Sequence, residues 1–142
     1  TYATRFARKG YVVISLDALV LMCHNGDYNF KEELRRLYAN FYLAVADVAI
    51  KSGRNVVLDG TCLTKQARKY WISKCGKKRK VTVTGVCWIP NIKNNIHNRM
   101  LSARSKDKEY WEDVIYSMED VFEKPSKKEG FKELKIKKVV KY

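Results

Sequence analysis

The sequence is poor in several features that narrow a protein's class. It has two prolines and two histidines, and its four cysteines, Cys23, Cys62, Cys75 and Cys87, form no CxxC pair. The histidines at 24 and 97 add no zinc-ligand spacing, which excludes a structural zinc site of the usual Cys/His pattern. Scattered cysteines in a chain this long point to free thiols in a reducing compartment, not to a disulfide scaffold. No run approaches the roughly 20 apolar residues of a membrane span, and no stretch reads as a secretory signal. The expected compartment is the cytoplasm. There is no internal repeat, no low-complexity linker and no composition shift, so the 142 residues read as a single domain.

What is present is apolar enough for a core and strongly basic. The chain is 46% hydrophobic, 31% charged and 12% aromatic, which excludes a disordered or fibrous protein. Against 29 Lys and Arg stand 15 Asp and Glu, a formal charge of +14. Such a field favours polyanions: nucleic acid, phosphorylated small molecules or an acidic membrane face. It speaks to association and says little about fold.

Along the chain, short apolar runs alternate with helical periodicity. "TYATRFARKG" reads as the body of a helix stopped at Gly10. "YVVIS" (11–15) is a short buried strand, residues 17–24 make one or two helical turns, and "NGDYN" (25–29) is a loop. From 30 to 50, Leu34, Leu37, Phe41, Ala44, Val45 and Val48 recur at helical spacing and predict one apolar face. "NVVLD" (55–59) is the second strand, residues 64–74 the next helix, 80–89 a third strand broken by Pro90, and 91–103 a helix. A hinge, "SKDKE", precedes a helix over about 109–122; "EKPSKKEGF" is a loop and "ELKIKKVVKY" a final strand. Strands alternating with helices predict an α/β fold, a parallel sheet with helices on both faces.

In an open parallel sheet, ligands bind at the carboxyl ends of the strands. Asp17 follows "YVVIS" and Asp59 ends "NVVLD", so two acids fall at equivalent strand ends. One such acid could simply cap the following helix. Two of them, in so basic a protein, point toward function, because cationic surroundings keep a carboxylate ionised and able to hold magnesium or accept a proton.

"TYATRFARKGYVVISLD" has the order helix, strand, acid that commonly follows the Gly-rich phosphate loop of nucleotide kinases. With "ISLD", "NVVLDGTCLTKQAR", "NRMLSAR" and "FEKPSKKEGFKEL" in that order, the chain resembles the P-loop kinases related to polynucleotide 5′-hydroxyl kinase, including the zeta-toxin-like group. The resemblance runs over nearly the whole length. The second stretch follows the family's D-x-T-N-L-x-x-x-x-R pattern except at Cys62, and the last is close to an F-E-x-P…E-G-F pattern. It implies a P-loop NTPase-like parallel sheet, ATP and Mg²⁺ as cofactors, and a nucleic acid as substrate. It also implies roles: Asp17 as general base on the acceptor hydroxyl, and Asp59 as a magnesium ligand, directly or through water. Gly60 keeps the backbone clear of the phosphates, while Thr61 bonds substrate or magnesium waters. Arg99 and Arg104 are a lid pair over the transferring phosphate, and Arg68 is a further substrate-binding candidate whose alternative is a solvated helix arginine.

The chain departs from the pattern in three places. It holds no GxxxxGK[ST]; the resemblance sets Thr1 directly after that motif, against the nucleotide. Cys62 stands where Asn is usual, and Val20 where polynucleotide kinases often carry an Arg that contacts the acceptor strand. In the resembling fold the strand before the P-loop is central, and a sheet lacking it would leave buried backbone groups unpaired. The expectation is therefore that the chain is incomplete at its N-terminus, with a GxxGxGK upstream in the reading frame. Two alternatives stand beside the polynucleotide kinase: a small-metabolite kinase on the same fold, and a basic nucleic-acid-binding module without catalysis. Trp71, Trp88, Phe122 and Phe131 are expected to pack the sheet, His97 to be exposed, and Lys124, Lys127 and Lys128 to form a solvated loop.

Overall fold

A computed structural model of the chain describes residues 2–76, 81–89, 91–101 and 108–138. It divides into two compact units, Thr1–Thr61 and Cys62–Tyr142. Among the described residues no helix is long and apolar enough to cross a membrane.

The first unit runs α1 (Thr4–Ala7), β1 (Val12–Ser15), α2 (Leu16–Cys23), a 3-10 turn (Glu32–Leu34), α3 (Arg35–Lys51) and β2 (Val56–Asp59). Runs of valine and isoleucine suit the pleated, half-buried surface of a strand. β1 and β2 pair in parallel, Val12 opposite Val56 through Ser15 opposite Asp59. The connection contains α2 and α3, as a parallel crossover requires. α3 packs on both strands, and α2 packs on α3.

The helical spacing predicted for 30–50 holds, but the buried face is the neighbouring one. Tyr38, Tyr42, Ala46 and Ala49 are buried, while Leu37, Phe41, Val45 and Val48 are exposed. Both stripes have the period of a helix, so periodicity cannot choose between them. The two alanines let the helix approach the strands closely. The tyrosines fill the remaining volume and keep their hydroxyls partnered. Tyr38 is fully buried, and its hydroxyl pairs with His24 Nε2 at 2.7 Å and accepts from the Lys31 amide at 3.4 Å.

The second unit runs α4 (Lys65–Trp71), a π turn (Ile72–Gly76), β3 (Thr84–Ile89), α5 (Ile92–Leu101), α6 (Lys108–Asp120), a 3-10 turn (Lys127–Glu129) and β4 (Glu133–Lys138). β3 and β4 pair in parallel, Thr84 opposite Glu133 through Ile89 opposite Lys138, in a second two-stranded sheet. The third strand starts at Thr84, and residues 81–83 are irregular. α5 packs against α6, and α4 against the 3-10 turn. All four cysteines are free thiols. The fold is α/β, with parallel strands and flanking helices, as the alternating pattern predicts.

Candidate active site

The parallel ladder of the first unit brings both acids to the same end of the strand pair. Asp59 is the last residue of β2 and lies opposite Ser15, the last residue of β1; Asp17 follows two residues later, in the first turn of α2. A ladder spacing of about 4.8 Å plus two residues of chain keeps the two Cα atoms within about 12 Å. Both acids are exposed, and neither takes a hydrogen bond or ion pair from another described residue.

Helix capping does not account for them equally. The N-cap of α2 is Ser15, so Asp17 is not the cap, although the positive end of α2 favours a negative charge there. Asp59 caps nothing, because the next helix, α4, is capped by Thr64, whose hydroxyl accepts from the Ala67 amide at 3.1 Å. A carboxylate left facing water, without a cap or an ion pair, is available to a ligand.

Gly60 and Thr61, next along the chain, are also exposed. Gly60 is not among the glycines with positive φ, and a Cβ there would meet only the Tyr42 hydroxyl at 3.7 Å, an ordinary contact. Neither backbone conformation nor packing requires glycine at this position. Tyr42 of α3, which the sequence did not single out, is buried with its hydroxyl beside this turn. Only its helical spacing from Tyr38 hinted that it faces inward.

In the second unit the loop that continues from Thr61 is tied down by Arg68. This arginine is 7% exposed, not solvated as expected. Its Nε and Nη2 donate to the two Glu129 oxygens at 2.7 and 3.0 Å, and its Nη1 donates to the Cys62 and Leu63 carbonyls at 3.1 and 2.8 Å. Four of the five N–H donors of a guanidinium are thus committed inside the protein, which removes Arg68 as a substrate-binding arm.

Glu129 is equally buried and also accepts from the Ser126 amide at 2.8 Å, closing a capping box on the 3-10 turn. The Arg68 hydrogen bonds hold the Glu129 carboxyl below its ordinary value, against the opposing effect of burial. Burial pushes the Cys62 and Cys87 thiols up, with the Arg68 charge pulling the other way, so neither is an activated thiolate.

Glu123 of the "FEKPSKKEGF" stretch holds the same loop, and Gly130 and Phe131 pack elsewhere in the second unit. The Glu123 amide donates to the Leu63 carbonyl at 3.0 Å, and its carboxylate accepts from the Lys65 amide at 2.5 Å. Gly130 has φ of +114°, where a side chain would be strained, and a Cβ there would stand 3.2 Å from Ile72 Cγ2. Phe131 packs on Gly85 of β3.

Of the remaining expectations, Thr1 and Arg104 lie outside the described residues. The backbone of Arg99 belongs to α5, and its side chain lies outside what is described. His97, Lys124, Lys127 and Lys128 are exposed as expected. Trp88 does not pack the sheet: it is 43% exposed, with the Lys137 ammonium 5.3 Å from its ring centroid. Val20 is fully buried in α2, so the position that resembles an acceptor-contacting arginine is part of the core.

The donors at the ends of β1 and β2 are carboxylates and a hydroxyl, hard oxygen ligands of the kind magnesium takes alongside waters and substrate phosphates. Among the described residues no three His, Cys, Asp or Glu side chains gather into a metal cage. By donor chemistry the set fits a magnesium–nucleotide complex, whose waters and phosphates complete the ligand shell.

A search of curated proteins finds no match. The sequence model of the AAA_33 family, described as an AAA domain, matches residues 1–125, a stretch that contains Asp17, Asp59, Arg68, Arg99 and Arg104 but not Glu129. The chain belongs to the AAA_33 family, a P-loop kinase-like family of nucleotide-binding proteins whose members generally use ATP and Mg²⁺.

Proposed function

We propose that the protein is an ATP-dependent kinase that transfers a γ-phosphate to the 5′-hydroxyl of a polynucleotide, with both units forming one kinase domain. The observation that carries this reading is the register of β1 and β2, which brings two exposed acids, unpaired among the described residues, to the carboxyl edge of one parallel ladder. Phosphoryl transfer asks of a protein mainly positioning and charge neutralisation. Bound magnesium–ATP supplies the phosphoryl group and neutralises charge on it.

Asp17, exposed in the first turn of α2, orients the acceptor hydroxyl and takes its proton. Asp59 and the Thr61 hydroxyl hold the metal or its waters, Thr1 lies against the nucleotide, and Gly60 leaves room for phosphate. Arg99 and Arg104 close over the transferring group with forked donors suited to phosphate oxygens. Polynucleotide as the acceptor is supported by the formal charge of +14.

One observation favours the metabolite-kinase alternative: the burial of Val20 leaves no arginine at that place for an acceptor strand. The test is transfer of label from γ-labelled ATP by the protein expressed from its complete reading frame. Labelling of 5′-hydroxyl oligonucleotides, but not of 5′-phosphorylated ones, is expected. ATP turnover with small alcohols alone would shift the assignment to a metabolite kinase, and no nucleotide binding at all would overturn the kinase reading.

A further inference from the structure

We infer that Arg68 and Glu129 are a positioning pair, which act on phosphoryl transfer by fixing the loop directly after Thr61; the inference rests on the kinase reading above. The two residues belong to stretches 61 positions apart, and in the sequence they read as separate motifs. In the structure they form one device. Two Nη1 hydrogen bonds grip the successive carbonyls of Cys62 and Leu63, while the other edge of the guanidinium rests on Glu129. Glu129 is itself fixed by the Ser126 amide, and the Glu123 amide shares the Leu63 carbonyl.

Stability alone is a poor reason for this arrangement. A buried ion pair must overcome the desolvation of both charges, and well-packed apolar residues of similar volume are often as stable or more so. What an apolar pair cannot do is donate hydrogen bonds to two neighbouring carbonyls. Lysine is no substitute, because its ammonium lacks the flat fork that serves a carboxylate on one edge and carbonyls on another. The carbonyls held are those of the two residues that follow Thr61 in the chain, so the pair fixes the backbone onto which the Asp59–Gly60–Thr61 turn leads. Neither residue touches the reacting groups; each acts through the backbone.

The test compares wild type, the apolar double variant Arg68→Met/Glu129→Leu and the single variant Arg68→Lys, all expressed from the complete reading frame. Thermal midpoint, hydrogen exchange of the amides of residues 60–65, and the KM for magnesium–ATP against kcat are measured. The double variant is expected to melt close to wild type. Its loop amides should exchange about tenfold faster, as loss of two hydrogen bonds implies. Its KM for magnesium–ATP should rise about tenfold, the usual scale for removing a support behind a metal ligand, with a smaller change in kcat.

Arg68→Lys should show the same selective change in exchange and KM, and it carries the test if the double variant does not fold. Wild-type exchange in residues 60–65 with unchanged KM in a folded variant would overturn the inference, as would acceleration spread evenly over the unit. Exchange is read without substrate. If wild type transfers no phosphate, the kinase reading fails, and the exchange measurement still decides whether the pair holds the loop.

Discussion

Two acids at the same end of the paired strands, Asp17 and Asp59, make different predictions. Asp17→Asn keeps shape and hydrogen bonding; if Asp17 is the base of the proposed kinase, kcat should fall by roughly 10²-fold or more with little change in ATP affinity. Asp59→Asn should weaken magnesium dependence, and high magnesium should recover part of the loss. A magnesium titration of both variants separates the roles, and near-normal turnover in Asp17→Asn would remove it from the mechanism. The buried pair makes its own prediction in acid. Hydrogen bonds from Arg68 depress the Glu129 carboxyl below its ordinary value of 4.5. A depressed carboxyl adds stability above its unfolded pKa and loses it as pH falls through the folded value. Unfolding free energy should therefore be flat near neutrality and fall between about pH 5 and pH 3, more steeply in wild type than in Glu129→Gln. Glu32→Gln, which removes an ion pair that is about 70% exposed on both sides, should leave the curve nearly unchanged. Equal acid limbs in wild type and Glu129→Gln would show that the buried pair adds no pH-dependent stability. Both strand-end acids were legible in the sequence, since a strand that stops at an acid is a local pattern. The fate of Arg68 was not, because its partner lies far along the chain and a helical arginine looks the same whether solvated or buried.

At the scale of elements, local chemistry announced every strand and every long helix, while packing decided the rest. "YVVIS" and "NVVLD" became β1 and β2 within a residue of the expected bounds, because valine and isoleucine runs flanked by turns leave few alternatives. The face of α3 was the miss. Leu37, Phe41, Val45 and Val48 are the more apolar stripe, yet Tyr38, Tyr42, Ala46 and Ala49 are the ones buried. Partners for the Tyr38 hydroxyl, from His24 and Lys31, come from outside the helix and cannot be read from its periodicity. Two glycines, one in the bend after β2 and one inside β3, should respond differently to alanine. At Gly85 of β3 a Cβ would stand 2.9 Å from Leu134 Cδ1 and 3.0 Å from the Phe131 ring, so something must move. Gly85→Ala should cost about 1–3 kcal/mol by overpacking. At Gly60 the nearest atom is 3.7 Å away, so Gly60→Ala should be neutral or slightly stabilising through the unfolded chain. If phosphates approach that backbone, the same change should still weaken nucleotide binding. Chemical denaturation of the two variants, with a nucleotide titration of Gly60→Ala, checks both statements. A stability loss at Gly60 equal to that at Gly85 would show that its glycine serves packing after all.

Across the whole molecule, the feature that neither the ladders nor the buried pair explains is the charge. An excess of 14 positive charges works against compactness through self-repulsion, and catalysis at a pair of acids does not need it. A polynucleotide acceptor would give it a purpose, because each phosphate neutralised by lysine or arginine releases condensed counterions. Cations that the structure shows exposed, among them Lys124, Lys127, Lys128 and Lys135, are free of any requirement to hold the core. If about four phosphates of a single strand are neutralised, log K should fall with log salt at a slope near −3. Affinity for an oligonucleotide should then drop by between ten- and a hundredfold from about 50 to about 200 mM salt. Binding of ATP alone, which engages far fewer phosphates, should change much less over the same range. Fluorescence anisotropy of a labelled 5′-hydroxyl oligonucleotide at the two salt concentrations makes the measurement. A steep slope supports the polynucleotide acceptor and is also expected of a binding module without catalysis, which the label-transfer assay distinguishes. Weak binding that is flat with salt, in a protein that still turns over ATP, would favour the metabolite kinase and leave the surface charge without a role in substrate capture.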